Sequence, residues 1–269
     1  MTENQILEPV AWVTGGAGGI GGSTARQLAK SGAIVWVCDL DTGALERIVD
    51  GIRAAGGNAH AVACDVTDET AVAETVATIA RTSGRLDILI NNAGTVHVDD
   101  ILDLPVKTWR KVMEVNSTGA FIAAQAAARQ MVSQATQASL NRKGLIANIG
   151  SSAAEIGRPR LAAYGASKAV VRHLTMSMHE ALKDKGVAVN LIYPGAVIDG
   201  MYESILKIEA AAFGVDLDTL RAERAADAPT GDYQDVNELG ALIARNVLKP
   251  GTGDSGRVLW TGAHTAVIA

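Results

Sequence analysis

Short runs rich in valine, isoleucine, leucine and alanine alternate along this chain with longer stretches whose apolar positions recur every three or four residues. The short runs predict buried strands at 10–14, 33–39, 59–63, 86–91, 145–150, 187–193 and 257–260. The longer ones predict helices at 19–30, 45–55, 69–82, 104–131, 162–183, 201–226 and 236–247. Ser31-Gly32 and Gly56-Gly57 are stop signals, and Asp68 is placed to cap the helix that follows it. The 104–131 pattern breaks near 116–119, and the polar segment 134–143 reads as a loop or frayed helix end. Strand–helix alternation over the whole length predicts an α/β fold, a doubly wound parallel sheet of about seven strands with helices on both faces. Its crossovers should be right-handed. With no repeat, low-complexity tract or linker, 1–269 is expected to be a single domain.

Composition narrows the picture. Hydrophobic residues make up 48% of the 269 positions but aromatic ones only 4%, so the core should be close-packed aliphatic. A formal net charge of −5 and the lack of any basic block argue against a nucleic-acid partner. Cys38 and Cys64 both fall in strand-like runs and are expected to be buried, reduced thiols. The first ten residues lack an apolar signal core, and no apolar run reaches the ~18 residues of a membrane span. A cytoplasmic protein is the expectation.

The first strand leads directly into Thr14-Gly15-Gly16-Ala17-Gly18-Gly19-Ile20-Gly21. Glycines between a strand and a helix allow a tight turn and let a pyrophosphate approach the backbone, while the helix N-terminus offers free N–H groups. Gly15, Gly18, Gly19, Ile20 and Gly21 are therefore candidate dinucleotide contacts. Asp39 closes the second strand, where such folds set an acid against the adenosine ribose. A carboxylate there would repel a 2′-phosphate, and the glycine loop holds no Lys or Arg, so NAD is favoured over NADP. The bland reading is that Asp39 merely opens the next turn with Asp41. Asp65 could contact the adenine edge or cap the following helix. Asn91-Asn92-Ala93-Gly94 follows the fourth strand with the small residues that suit a flat cofactor.

Tyr164 and Lys168 stand four apart in a helix-forming run, so phenol and ammonium share a face. A cation beside a phenol favours its ionised form. That pair could act as an acid/base near neutral pH, although alone Tyr-x-x-x-Lys is common on helix surfaces.

Taken in order, the glycine loop, Asp39, Asp65, Asn91 to Gly94, Asn116, Ser151, Tyr164/Lys168 and Pro194-Gly195 resemble the short-chain dehydrogenase/reductase family of the one-domain, NAD-dependent kind. The likeness runs over about 10–262. It implies a Rossmann-type three-layer fold and NAD(H)-dependent interconversion of a secondary alcohol and its ketone. It further implies Tyr164 as general acid/base, Lys168 lowering its pKa and holding the nicotinamide ribose, and Ser151 binding the substrate oxygen, with Ser152 as a rival. Asn116 matches the asparagine of a water relay. Leu40, Val66, Asn92, Ala93, Gly94, Pro194, Gly195 and Val197 are implied cofactor contacts, and no metal is implied. A homotetramer is expected of such a chain. An NADP-preferring carbonyl reductase and a non-catalytic dinucleotide-binding regulator are the alternatives.

Three positions depart from the family pattern. Asp199 stands where a threonine is usual, Thr261-Gly262-Ala263 replaces an acidic glycine turn, and Glu155, Arg158 and Arg160 charge the loop before Tyr164. That loop either edges the substrate pocket or is simply solvated. His97, Tyr193 and a lid over 197–226 are the remaining expected pocket elements. The lid's apolar composition predicts a largely apolar substrate.

Overall fold

A computed structural model describes residues 8–226, 232–251, 255–260 and 265–267. Seven parallel strands form one sheet: β1 Val10–Thr14, β2 Ile34–Asp39, β3 Asn58–Ala63, β4 Ile88–Asn91, β5 Gly144–Ile149, β6 Val187–Tyr193 and β7 Arg257–Trp260. An eighth, β8 Thr265–Val267, adds antiparallel to β7, and the spatial order is β3-β2-β1-β4-β5-β6-β7-β8. The order reverses between β1 and β4. Such a switch point leaves a crevice at the carboxyl ends of the strands, because the connections from the two central strands leave in opposite directions.

Strands β1, β4 and β5 are buried along their whole length, as the uninterrupted apolar runs require of a sheet covered on both faces. Edge strand β3 alternates burial and exposure. The nine helices described are α1 Gly19–Lys30, α2 Thr42–Ala54, α3 Glu69–Ser83, α4 Val106–Met113, α5 Ala120–Ser133, α6 Ala162–Leu182, α7 Gly200–Phe213, α8 Leu217–Ala226 and α9 Val236–Leu248. Leu28, Leu45, Ile48, Leu239 and Ile243 join one core layer with Val13, Val35 and Ile90. Val76, Ile79, Ala123, Ala127 and Met131 join the other with Trp12, Leu89 and Ile146. At roughly 1.5–3 kcal/mol for each large aliphatic side chain, these two layers dominate the stability.

Asp68 caps α3 as expected, accepting from the N–H groups of Thr70 and Ala71 at 2.9 and 3.1 Å. The break in the 104–131 pattern is a π-helical turn, Glu114–Gly119, joining α4 to α5. The expected single helix over 201–226 is two, because Gly214 adopts a left-handed C-cap and Asp216 accepts from Asp218 and Thr219 to start α8. The polar 134–143 segment is less solvated than its composition suggests. Leu140 and Arg142 are buried, and Arg142 donates to the carbonyls of Val247, Lys249 and Gly251 at the end of α9. Cys38 and Cys64 are buried free thiols. No helix among the described residues is long and apolar enough to cross a membrane. The Thr261-Gly262-Ala263 turn lies outside the described residues, as do the first seven positions.

Candidate functional site

The carboxyl ends of β1, β2, β4, β5 and β6 surround a cavity of about 750 Å³. On one side is the glycine loop. Gly15 has φ +63°, and a Cβ there would lie 2.7 Å from the Ala93 Cα. Two side chains hold this close approach. Thr14 Oγ1 accepts from the N–H groups of Asn92 and Ala93 at 2.9 and 3.0 Å, and Asn92 Nδ2 donates to the carbonyls of Thr14 and Gly15 at 3.1 and 2.9 Å. Asn91 is turned away, donating to Ala120 O and to Asn148 Oδ1. Of the asparagine pair, Asn92 alone lines the cavity.

Helix α1 starts without a side-chain cap and without an acid in its first turn, whereas α2, α3 and α9 are each capped by an aspartate. Gly18, Gly19 and Ile20 line the cavity at this open end. Asp39 reaches the same rim. Its Oδ2 accepts from Ala17 N at 3.0 Å, and its Oδ1 from Leu40 N at 2.7 Å and Asp41 N at 3.2 Å. Asp199 approaches from above: its Oδ1 accepts from Tyr202 N at 2.9 Å to cap α7, and a Cβ on Gly19 would lie 2.8 Å from its Oδ2. This carboxylate therefore rests against the open end of α1.

On the other side, Ser151 ends β5 and caps a short 3₁₀ turn, Ser152–Ala154, by accepting from Ala153 N. Its hydroxyl and the Tyr164 phenol line the same cavity. Lys168 lies one turn along α6, 5.7 Å from the Tyr164 ring centre, and its Nζ donates to Ile149 O at 2.8 Å. Burial lowers the Lys168 ammonium to about 8. The phenol is displaced upward instead of downward. Burial is the chief cause and the Asp199 carboxylate adds to it, against the Ser151 hydrogen bond. Lys168 is not among the groups that displace the phenol in this structure, and its Nζ is held by the strand carbonyl.

Asn116 is 1% exposed within the π-helical turn, and its side chain makes three hydrogen bonds. Its Oδ1 accepts from Thr95 N at 2.7 Å, and its Nδ2 donates to Thr95 O at 2.8 Å and Ser167 Oγ at 2.9 Å. It braces the segment beside Gly94 from below the cavity. Both amide hydrogens are taken and Oδ1 keeps one lone pair, so the side chain has no donor left for a water.

Gly15, Gly18, Gly19, Ile20, Asp39, Asn92, Gly94, Ser151, Tyr164, Lys168, Pro194, Gly195 and Val197, all candidate residues from the sequence, line one cavity. Gly21, Ala93, Asp65, Val66 and Leu40 do not. Gly21 is buried beneath the loop, and Ala93 backs Gly15. Asp65 accepts from the N–H and hydroxyl of Thr67 in its own turn, Val66 is buried against Gly119, and Leu40 is 68% exposed. His97 is also absent from the walls, lying 3.5 Å from Asp99.

Above the cavity, α7 and α8 contribute Met201, Tyr202, Ile205, Glu209 and Arg224. Both Glu209 and Arg224 fall within the expected 197–226 lid, but reading 201–226 as one mainly apolar helix singles out neither. The only signal was Gly214 followed by Asp216, a stop and a start that fold α8 back on α7. Arg158 also lines the cavity, so part of the charged loop does edge it. Glu155 does not: it accepts from Tyr193 Oη and pairs with Arg172, both at 2.7 Å.

A helix end free of side-chain caps, a close-packed glycine turn and two hydroxyls beside a lysine face one cavity, an arrangement that suits a dinucleotide-dependent oxidoreductase. Comparisons with known proteins agree. Residues 9–209 match the short chain dehydrogenase family model, and the chain belongs to that family of alcohol- and ketone-converting oxidoreductases. It is 34% identical over 79% of its length to 2,3-dihydro-2,3-dihydroxybenzoate dehydrogenase of Bacillus subtilis, covering 78% of that protein. It is 38% identical to cis-4-hydroxycyclohexanecarboxylate dehydrogenase of Sinomonas cyclohexanicum, with 89% of each chain covered. Among solved structures, NAD⁺-bound xylitol dehydrogenase superposes with TM-score 0.86 at 32% identity, covering 97% of this chain and 100% of that one. Actinorhodin polyketide ketoreductase with NADPH superposes with TM-score 0.87 at 29% identity, covering 94% and 95%.

Proposed function

We propose that this protein is an NAD(H)-dependent dehydrogenase that interconverts a secondary alcohol and its ketone. The observation carrying the reading is the convergence of Ser151, Tyr164 and Lys168 on the cavity that the open end of α1 and Asp39 also face. The residues present fit a nicotinamide dinucleotide. The uncapped N–H groups of α1 suit a pyrophosphate, and a Cβ at Gly15 would close the turn beside it. Asp39, already fixed by three backbone N–H groups, suits ribose hydroxyls and opposes a 2′-phosphate. Pro194, Gly195 and Val197 would border the nicotinamide, and Lys168 its ribose. The bound cofactor supplies hydride transfer at its ring.

The chain's own residues handle the oxygen and the proton. Ser151 and Tyr164 present two hydroxyls to the reacting oxygen, polarising a carbonyl or holding an alcohol. Burial keeps the Tyr164 phenol protonated at neutral pH, so it is set to donate to the developing alkoxide during reduction. In oxidation Tyr164 must first lose that proton, so the oxidative rate should climb with pH above neutrality. The main chain around Asn116 would pass the proton onward. Leu161, Met201 and Ile205 give an apolar wall suited to a compact, ring-shaped carbon skeleton, in keeping with the Sinomonas relative's name.

The reading extends to a one-domain chain that assembles as a homotetramer. Phe121 and Val170, 45% and 42% exposed on α5 and α6, leave apolar surface for such contacts. The decisive assay is absorbance of reduced cofactor over a panel of secondary alcohols and ketones, with NAD and NADP compared by kcat/KM. Turnover with a higher NAD value supports the reading; binding of NAD with no turnover across the panel defeats it.

A further inference from the structure

Hydride transfer accounts for one polar region of the cavity and leaves another unexplained. Beneath α7 and α8 the walls carry Tyr202, Glu209 and Arg224, with Arg158 from the loop before α6. Their charges do not cancel. Glu209, only 9% exposed, accepts from Arg224 Nη2 at 3.2 Å, and that pair is balanced. The neighbouring cations are likewise engaged: Arg172 with Glu155, Arg221 with Glu203 and Asp218, and Arg160 over the Phe213 ring at 5.3 Å. Among the described residues Arg158 has no carboxylate within ion-pair range.

Tyr202 links these groups. Burial raises its phenol to about 12, with Arg158 and Arg224 acting against that rise and Glu209 with it. The hydroxyl is thus a neutral donor at physiological pH, on the same cavity wall as the solvent-exposed Arg158 guanidinium. A planar guanidinium at the edge of a half-closed cavity is matched by a planar oxyanion, to which it can donate two parallel hydrogen bonds. The cavity walls as a whole balance Asp39, Asp199 and Glu209 against Arg158, Lys168 and Arg224, so the unpaired positive charge is confined to the Arg158 edge.

Resting on the dehydrogenase reading above, we propose that Arg158, helped by Tyr202, forms an anion subsite. It binds a carboxylate carried by the substrate, making the natural substrate class a hydroxy acid whose reacting hydroxyl lies apart from its carboxylate. The subsite should prefer an acid to its isosteric amide by about 10-fold. That preference should shrink as salt rises.

The test separates binding from turnover. Calorimetric titrations, with and without NADH, compare 4-oxopentanoate, 5-oxohexanoate and 6-oxoheptanoate with their primary amides. At least one acid should bind about 10-fold tighter than its amide, Arg158→Gln should bring that ratio near one, and Arg158→Lys should keep part of it. Equal affinities throughout, no acid binding at all, or a ratio unchanged in Arg158→Gln would overturn the proposal. The matching hydroxy acids and hydroxy amides are then assayed for NADH formation. Turnover of both at equal kcat/KM removes the subsite and leaves the dehydrogenase. Preferential acid binding without any turnover removes the dehydrogenase and leaves the subsite.

Discussion

Thr14 and Asn92 tie the glycine loop to the end of β4 through four hydrogen bonds, each to a main-chain atom within two residues of the end of β1 or β4. The opposite wall is assembled differently. Helices α7 and α8 pack around a small core of their own, Leu206, Ala210 and Leu220, and meet the cavity through side chains such as Tyr202, Glu209 and Arg224. The loop side is defined by backbone shape and tolerates little change. The roof is defined by side-chain pairing and can vary residue by residue. Such a division lets one frame hold a constant cofactor beneath a substrate wall that differs between relatives.

The largest expected effect lies on the loop side. Gly15→Val needs a left-handed φ for a β-branched residue and drives its Cβ into Ala93. It should cost about 2–4 kcal/mol of stability and abolish dinucleotide binding, read by thermal unfolding and fluorescence titration. A comparably large substitution in the roof that left binding intact would sharpen the contrast; an unaffected Gly15→Val would break it.

Lys168→Met should remove activity yet stabilise the fold. The folded ammonium titrates at about 8 and an unfolded lysine near 10.5, so at pH 7 both are charged and the full burial cost is present. Between about 8 and 10.5 the unfolded state binds more protons, so wild-type stability gains with rising pH. The variant should be about 1–3 kcal/mol more stable at pH 7, with the gap closing towards pH 10 in denaturant melts. A less stable Lys168→Met at pH 7 would contradict this.

Asp39→Ser should narrow the NAD over NADP preference by about 10-fold in kcat/KM, because it removes the like charge facing a 2′-phosphate. An unchanged ratio would move cofactor selection elsewhere. The smallest effect is expected at Asp199, whose carboxylate rests on the end of α1 that a pyrophosphate would use. Asn keeps the α7 cap, so Asp199→Asn should tighten dinucleotide binding about 3-fold at low salt and less at high salt. Weaker binding would show that the carboxylate assists the cofactor.

Legibility in the sequence followed the same division. Strand, glycine turn and uncapped helix are near neighbours in the chain, and their residue types state the backbone shape required. Hence the glycine turn with Gly15 and Gly19, Asp39 at the end of β2, and Tyr164 with Lys168 one turn apart in α6 are legible in local pattern. The split of α7 from α8, the pairing of Glu209 with Arg224 and the burial of Arg142 depend on contacts between residues distant in sequence, which no local pattern carries. Strand β8 is too short, at three residues, to show a period. The upward displacement of Tyr164 was hidden for a related reason. Spacing of four places Lys168 beside the phenol, but only the fold reveals that its Nζ is bound to Ile149 O.

The account rests on Tyr164 as the group that moves the proton, and Tyr164→Phe tests it most directly. Single-turnover hydride transfer and dinucleotide affinity should be measured together across pH. The prediction is a fall in rate of about 10²–10⁴-fold with cofactor affinity preserved and no rise of the oxidative rate above neutral pH. Turnover equal to wild type, with the same pH profile, would contradict it.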